Sequence, residues 1–200
     1  MNEHDHDHES ASARATKRVN GLVETLEERG ITSDAEITGV IERLLAGAGP
    51  ANGARIAARA WVDPAFRARL LTDANAAIDE LNIDLSHWAP VRLRVVRNSP
   101  SLHNIIVCTL CSCYPLALLG PSPSWYKSEA YRSRVVREPR AVLREFGVVL
   151  GDEVHISVWD STAELRYMVL PQRPARTENL DEARLATLVS RDALIGTALI

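Results

Sequence analysis

Apolar residues recur with helical spacing along the first part of the chain. Val19, Leu22, Val23 and Leu26 make an i, i+3, i+4, i+7 stripe that stops at Gly30 and predicts one helix. A second opens at Ser33, with Glu36 three residues on in the capping-box pattern, and carries Ile37, Val40, Ile41 and Leu44 before GAGPANG (47–53) ends it. A third segment includes Ile56 to Trp61. Asp63 and Pro64 then read as N-cap and first residue of a fourth helix, turning Phe66, Leu70, Ala74, Ile78 and Leu81 inward. Ahead of all these, MNEHDHDHESASA shows no apolar periodicity and predicts a disordered polar tail. His4, His6 and His8 alternate with acids there; that spacing holds a metal ion loosely, and a solvated tail is its ordinary meaning.

After SHWAP (86–90) the period shortens. VRLRVV (91–96) alternates apolar and basic residues as a half-exposed strand does, VHISVW (154–159) alternates likewise, and LRYMVLP (165–171) is a third strand candidate. Helical spacing returns in YRSRVVREPRAVLREFG and in NLDEARLATLVSRD, where Leu185, Leu188 and Val189 share a face. The pattern predicts an α+β protein: a polar tail over 1–16, a helical arm over 17–90, and a layered α/β catalytic domain over 91–200.

Composition narrows the function classes. The 200 residues are 46% apolar, enough for one core, and only 5% aromatic, so that core is mostly aliphatic. A net charge of −3 gives no general electrostatic reason to bind nucleic acid or an anionic membrane. No run approaches the ~18 apolar residues of a membrane span. The start lacks a basic region followed by an apolar one, so a cytoplasmic protein is expected, where thiols stay reduced unless catalytic or metal-bound.

All three cysteines, Cys108, Cys111 and Cys113, lie inside VCTLCSCYP (107–115). An odd count in a reducing compartment argues against a structural disulfide. Structural zinc wants four ligands, and only His103 or a folded-back His155 offers the fourth. Small buried hydrophobes are a third reading, weakened by the clustering. The spacing favours a fourth: a catalytic metal in a compact claw. Three thiolates in six residues make the backbone wrap the ion, bringing the peptide nitrogens of Ser112 and Cys113 within bonding distance. Such donors suit trivalent cobalt or iron rather than zinc and leave one position open.

HNIIVCTLCSCYP, with SWYKSEAYRSRVVREPRAVLREFG, DSTAELRYMVLPQRPARTENL and RDALIG after it, resembles the nitrile hydratase alpha subunit. AWVDPAFRARLLTDANAAIDEL resembles that family's N-terminal helical region, and the likeness runs from about residue 55 to the end. It implies a non-corrin Co(III) centre, or less readily Fe(III), held by the sulfurs of Cys108, Cys111 and Cys113 and the backbone nitrogens of Ser112 and Cys113. It implies oxidation of Cys111 to a sulfinic acid and of Cys113 to a sulfenic acid. Thr109, between the first two cysteines, points to cobalt by family correlation. The implied reaction is hydration of a nitrile to its amide, with Cys113 sulfenate or an activated water as nucleophile and Ser112 beside the claw, its hydroxyl on the substrate, on an oxidised sulfur or only on the turn. The family also implies a beta-type partner of one or two chains that supplies two arginines against the negative claw, and a cobalt-inserting chaperone. Arg132, Arg134, Arg137 and Arg140 offer a basic face to such a partner or to solvent.

Two departures stand out. The family pattern has tryptophan three residues past the last cysteine, where this chain has Leu116. An isobutyl group in place of an indole frees room for a bulky or heteroaromatic nitrile, unless the partner fills it. The glycine-rich, glutamine-containing stretch usual before the first strand is also missing from SHWAPVRLRVVRNSP. Thiocyanate hydrolase, whose gamma subunit carries the same claw, is the alternative; its anionic substrate wants positive charge, which Leu116 does not provide. A subunit that holds metal without turnover is a further alternative.

Overall fold

The computed structural model describes residues 3–83 and 91–200, with side chains from residue 13 onward and without that of Leu44. The SHWAP segment and the side chains of His4, His6 and His8 lie outside the described part. Two compact units divide between Ala46 and Gly47.

The first unit holds α1 (Glu3–Glu28) and α2 (Asp34–Ala46). Its backbone is helical from Glu3, where the sequence pattern predicts a polar tail. Gly30 ends α1 with φ +61, a conformation glycine adopts without strain. The capping box at α2 forms as expected: the Ser33 amide donates to Glu36 Oε2 at 2.9 Å, and the Glu36 amide donates to Ser33 Oγ at 3.2 Å. Part of each apolar stripe stays in solvent: Val19, Leu22, Val40 and Ile41 are exposed, while Val23, Leu26 and Ile37 are half-buried.

The second unit begins with α3 (Pro50–Val62), α4 (Pro64–Thr72) and α5 (Ala74–Asp79), followed by β1 (Arg92–Arg97) and β2 (Leu102–Val107). Short helices α6 (Leu116–Leu119) and α7 (Ser124–Lys127) lead to α8 (Glu129–Arg137) and α9 (Pro139–Glu145). Then come β3 (His155–Asp160), β4 (Leu165–Leu170), α10 (Glu182–Leu188) and α11 (Arg191–Ile195). The strands form two parallel pairs, β1 with β4 and β2 with β3. The architecture is α+β. Ile56, Ala60 and Trp61 of α3, Phe66 and Leu70 of α4, and Ile78 of α5 are buried in the same core as Ile105, Met168 and Leu170. Trp61 Nε1 donates to the Pro171 carbonyl at 2.8 Å. These helices therefore belong with the strands rather than with an arm reaching to residue 90.

Three predicted helices are each two. The fourth divides at Asp73, whose carboxylate accepts from the Ala76 amide and caps α5, so a local hydrogen bond overrides the continuous apolar stripe. Glu138–Pro139 divides α8 from α9, since proline cannot donate within a helix. Ser190 caps α11 and divides it from α10. The larger correction is β2. It is buried along most of its length, so it lacks the alternation that marks a half-exposed strand. The cysteine loop follows β2, whereas the sequence pattern places no strand between 91–96 and the cysteines and so predicts the loop after that earlier strand.

The two polar residues of β2 are buried and satisfied. Asn104 Oδ1 accepts from Trp159 Nε1 at 2.8 Å. His103 Nε2 donates to the Gly196 carbonyl at 2.7 Å, which leaves Nδ1 to accept from Asn98 Nδ2 at 3.4 Å. Burial lowers the His103 pKa, opposed by the Gly196 hydrogen bond. An unfolded histidine titrates near 6.5. Above that value both states are neutral and stability is complete; as pH falls below it, the unfolded chain takes up a proton the folded chain resists. Chemical denaturation between pH 7 and about pH 5 is expected to show falling stability with a shallower slope in His103→Gln. An identical slope in the variant would assign the loss to other groups.

Candidate metal centre

The parallel pair of β2 and β3 ends in register, Val107 beside Asp160, and the loop from Cys108 to Cys113 leaves from that edge. Two clips hold its start. The Ser161 amide donates to the Val107 carbonyl at 2.7 Å. Asp160 accepts twice from Thr109, from the amide at 2.9 Å and from the hydroxyl at 2.6 Å. Arg132 Nη1 reaches the carbonyls of Thr109 and Cys111 at 3.3 and 3.5 Å. On the far side Tyr126 donates its hydroxyl to the Cys113 carbonyl at 3.0 Å, and Tyr131 donates to Ile106 at 2.7 Å. Behind these phenols sits an aromatic cluster: Trp125 lies 4.9 Å from Tyr131 and 4.7 Å from Phe146, ring centre to ring centre, and Tyr126 lies 5.0 Å from Tyr114.

So restrained, the loop turns its three thiols toward one point. Cys108 Sγ is 3.2 Å from Cys111 Sγ, which is 3.0 Å from Cys113 Sγ, and all three lie within 4.8 Å of one another. Cys108 is buried, Cys113 half-buried and Cys111 exposed. The Cys111 thiol is drawn down to about 7 by the Cys113 and Cys108 thiols first, and then by the backbone amides of Cys113 and Ser112. Cys113 moves the other way, to about 12, through burial and the adjacent Cys111, with Arg166 opposing. The donor set is three convergent sulfurs with the Ser112 and Cys113 amides directed at the middle one. This fits a metal ion that prefers thiolate and is bound on one side only.

Neither His103 nor His155 joins it. His103 is committed to Gly196 and Asn98, and His155 is exposed at the opposite end of the β2–β3 pair, beside Leu102. Among the described residues the cysteines are the one group able to hold an ion, and a zinc site completed by His103 or His155 is not formed. Two members of the basic face turn out to be engaged within the chain: Arg134 with Glu145 and Glu138, and Arg140 with the carbonyls of Leu150, Gly151 and Val154.

Cys111, Ser112, Cys113 and Leu116 all line a cavity of about 600 Å³ whose remaining wall is largely apolar, including Val91, Leu93 and Tyr114. Asn75 of α5 fixes the β1 side, accepting from the Leu93 amide at 2.9 Å and donating to the Val91 carbonyl at 3.1 Å. Lys127 and Arg166 also face this cavity. Asp160, Tyr126, Asn75 and Arg166 are the residues that sequence reasoning misses at the site.

The family model described as nitrile hydratase, alpha chain, matches residues 13–198. The chain belongs to the nitrile hydratase alpha-chain family. The low-molecular weight cobalt-containing nitrile hydratase subunit alpha of Rhodococcus rhodochrous is 49% identical over 181 residues, 90% of this chain and 86% of that one. The gamma subunit of thiocyanate hydrolase from Thiobacillus thioparus is 44% identical over 159 residues, 75% of this chain and 65% of its own. A solved Fe-type nitrile hydratase of Comamonas testosteroni Ni1, carrying a double substitution, superposes with a TM-score of 0.86 at 42% identity, over 94% of this chain and 90% of that one. In this member of the alpha-chain family, the claw motif on which the resemblance rests is the loop that the fold clips between β2 and α6.

Proposed function

We propose that the chain is the alpha-type subunit of a cobalt nitrile hydratase that converts a nitrile to its amide together with a beta-type partner. The observation that carries this reading is the convergence of Cys108, Cys111 and Cys113 at the wall of an apolar cavity. Their sulfurs, with the backbone nitrogens of Ser112 and Cys113, are the proposed ligands. Cobalt over iron is supported by Thr109 and by the cobalt-containing relatives. Thr109 itself uses its hydroxyl and amide on Asp160, bonds serine makes equally well, so the metal preference rests on likeness rather than on this contact. When bound, a trivalent ion supplies a Lewis acid that withdraws electron density from a nitrile.

The chain's own residues do the rest. Leu93, Leu116 and Tyr114 exclude water from the cavity wall, and Leu116 leaves room for a bulky or heteroaromatic group. Cys113, oxidised to the sulfenic state, faces the cavity as the nucleophile or as the group orienting a water, with the Ser112 hydroxyl beside it. Cys111 is the proposed sulfinic acid. Arg132 and Arg166 bring cations of this chain to the claw, and the partner, of one or two chains, adds others. The exposed stripes of α1 and α2 suit burial against such a partner, and an accessory chaperone is the proposed route of cobalt entry. No helix among the described residues is long and apolar enough to cross a membrane; a cytoplasmic site of action, where thiols stay reduced until metal arrives, fits this reading.

Metal analysis of the chain co-expressed with its partner and chaperone, followed by intact mass of the 108–113 peptide, tests the proposal. About one cobalt per chain, with mass added for two oxygens on Cys111 and one on Cys113, is the expected result. Zinc with three unmodified thiols in an active complex would return the loop to an ordinary zinc site. Asp160→Asn bears on the same centre: it removes the paired acceptor beneath Thr109, and retained cobalt and turnover are expected to fall roughly 10- to 100-fold. A variant with wild-type cobalt content would show that the loop holds its shape without that clip.

One observation favours the thiocyanate reading. The positive charge absent at Leu116 is present in the same cavity at Arg166 and Lys127, and the gamma subunit of thiocyanate hydrolase is a 44% identical relative.

A further inference from the structure

Three of the chain's six histidines, His4, His6 and His8, fall within five positions near its start, a concentration that the cysteine chemistry leaves unexplained. Glu3, Asp5, Asp7 and Glu9 alternate with them, and no lysine or arginine precedes Arg14. As a sequence, this alternation is that of a solvated polar tail. As a backbone it is something else, because α1 is helical from Glu3 onward.

A helix replaces the alternation by its own period. In that register His4 and His8 are one turn apart on the same face, Asp5 and Asp7 fall on its two flanks, and His6 falls on the opposite side. Two histidines at i and i+4 are the spacing by which one face of a helix grips a transition-metal ion. A cation is ordinarily unwelcome at a helix N-terminus, where the macrodipole is positive. Here four carboxylates within residues 3–9 reverse that local sign. The stretch also lacks the apolar stripe through which most protein helices are stabilised; an ion bridging two successive turns supplies a cross-link in its place.

We infer that the first turns of α1 form a second metal site, separate from the cysteine centre, in which His4 and His8 bind a divalent transition-metal ion. The donors set its class. Imidazole with carboxylates beside it suits Co(II), Ni(II) or Zn(II), whereas Mg(II) and Ca(II) select oxygen donors alone. Two imidazoles leave the rest of the ion's shell to water, so the site holds its ion reversibly. It stands on the helix register and the sequence, independently of the hydratase reading.

The test is equilibrium dialysis of the untagged, assembled complex against cobalt(II) chloride, with magnesium chloride as the control. Wild type is expected to take up about one more Co(II) per chain than His4→Ala/His8→Ala, with no such difference for Mg(II). Both proteins carry the same cysteines, so the difference counts the histidine site whatever fills the claw. Each single alanine variant should weaken this uptake at least about 10-fold, the cost of disturbing even an outer partner of a metal ligand, and His6→Ala far less. Exchanging residues 8 and 9, His8→Glu with Glu9→His, preserves composition and charge but moves the second histidine off the shared face. That exchange should lose the ion as His8→Ala does. Equal uptake by wild type and the double alanine variant would overturn the site. Uptake retained after the exchange, or lost equally in His6→Ala, would overturn the helical pair in favour of a flexible chelating tail.

Discussion

Cys111→Ser is expected to leave a folded protein that neither retains cobalt nor hydrates nitriles, with activity down more than about 100-fold. Cys111 is the middle donor: its sulfur is the one within 3.2 Å of Cys108 and 3.0 Å of Cys113, and the one that the Ser112 and Cys113 amides address. A serine alcohol does not ionise near neutral pH, so the charge that attracts the ion is lost with the sulfur. Folding is spared because Cys111 is exposed and contributes little to the core. Metal content by mass spectrometry, turnover, and a thermal melt separate the two effects. Cobalt retained at the wild-type level with turnover intact would remove Cys111 from the ligand set.

Gly196→Ala is expected to cost the most stability of any small change in the second unit. Gly196 ends α11 with φ +95, a conformation that costs an L-residue about 1–2 kcal/mol. An added Cβ would stand 2.1 Å from the Asn104 carbonyl oxygen and 2.8 Å from the Ile105 Cα. Both are backbone atoms of β2 and have no side-chain rotation by which to yield. Overpacking of this kind adds about 1–3 kcal/mol, and the same residue's carbonyl accepts from His103. A total near 3 kcal/mol corresponds to a melting temperature lower by roughly 6–12 °C in a domain of this size. A shift under about 2 °C would mean that α11 slides off β2 at little cost. Because β2 runs directly into Cys108, the variant also displaces the centre, which a fall in cobalt content would reveal.

What could be read in the sequence was what is local. The capping box at Ser33, the N-cap at Asp63 and the claw itself each occupy six residues or fewer, so the chain shows them without folding. What stayed hidden depends on distance or on burial. Asp160 reaches Thr109 across 51 positions, and nothing near either residue announces the pairing. Arg166 looks like the polar half of an alternating strand until its register with Leu93 turns it to the cavity. LHNIIV carries histidine and asparagine in a strand buried along most of its length, so both period and polarity argued against what it became. Asp73 and Pro139 are visible as residue types, yet each sits within a run of helical spacing, and only the Asp73 cap and the missing Pro139 donor divide those runs.

The ring cluster behind the claw gives the protein a built-in optical gauge. Tyr126 touches the Cys113 backbone, and Trp125 is its neighbour, 6.1 Å away between ring centres. Emission from the four tryptophans therefore contains one contribution that originates beside the loop. Subtracting the Trp125→Phe spectrum isolates it, and a coloured ion captured at the cysteines dims it by energy transfer. Loading of the centre can then be followed in real time in the intact complex, with no label attached and no substrate consumed.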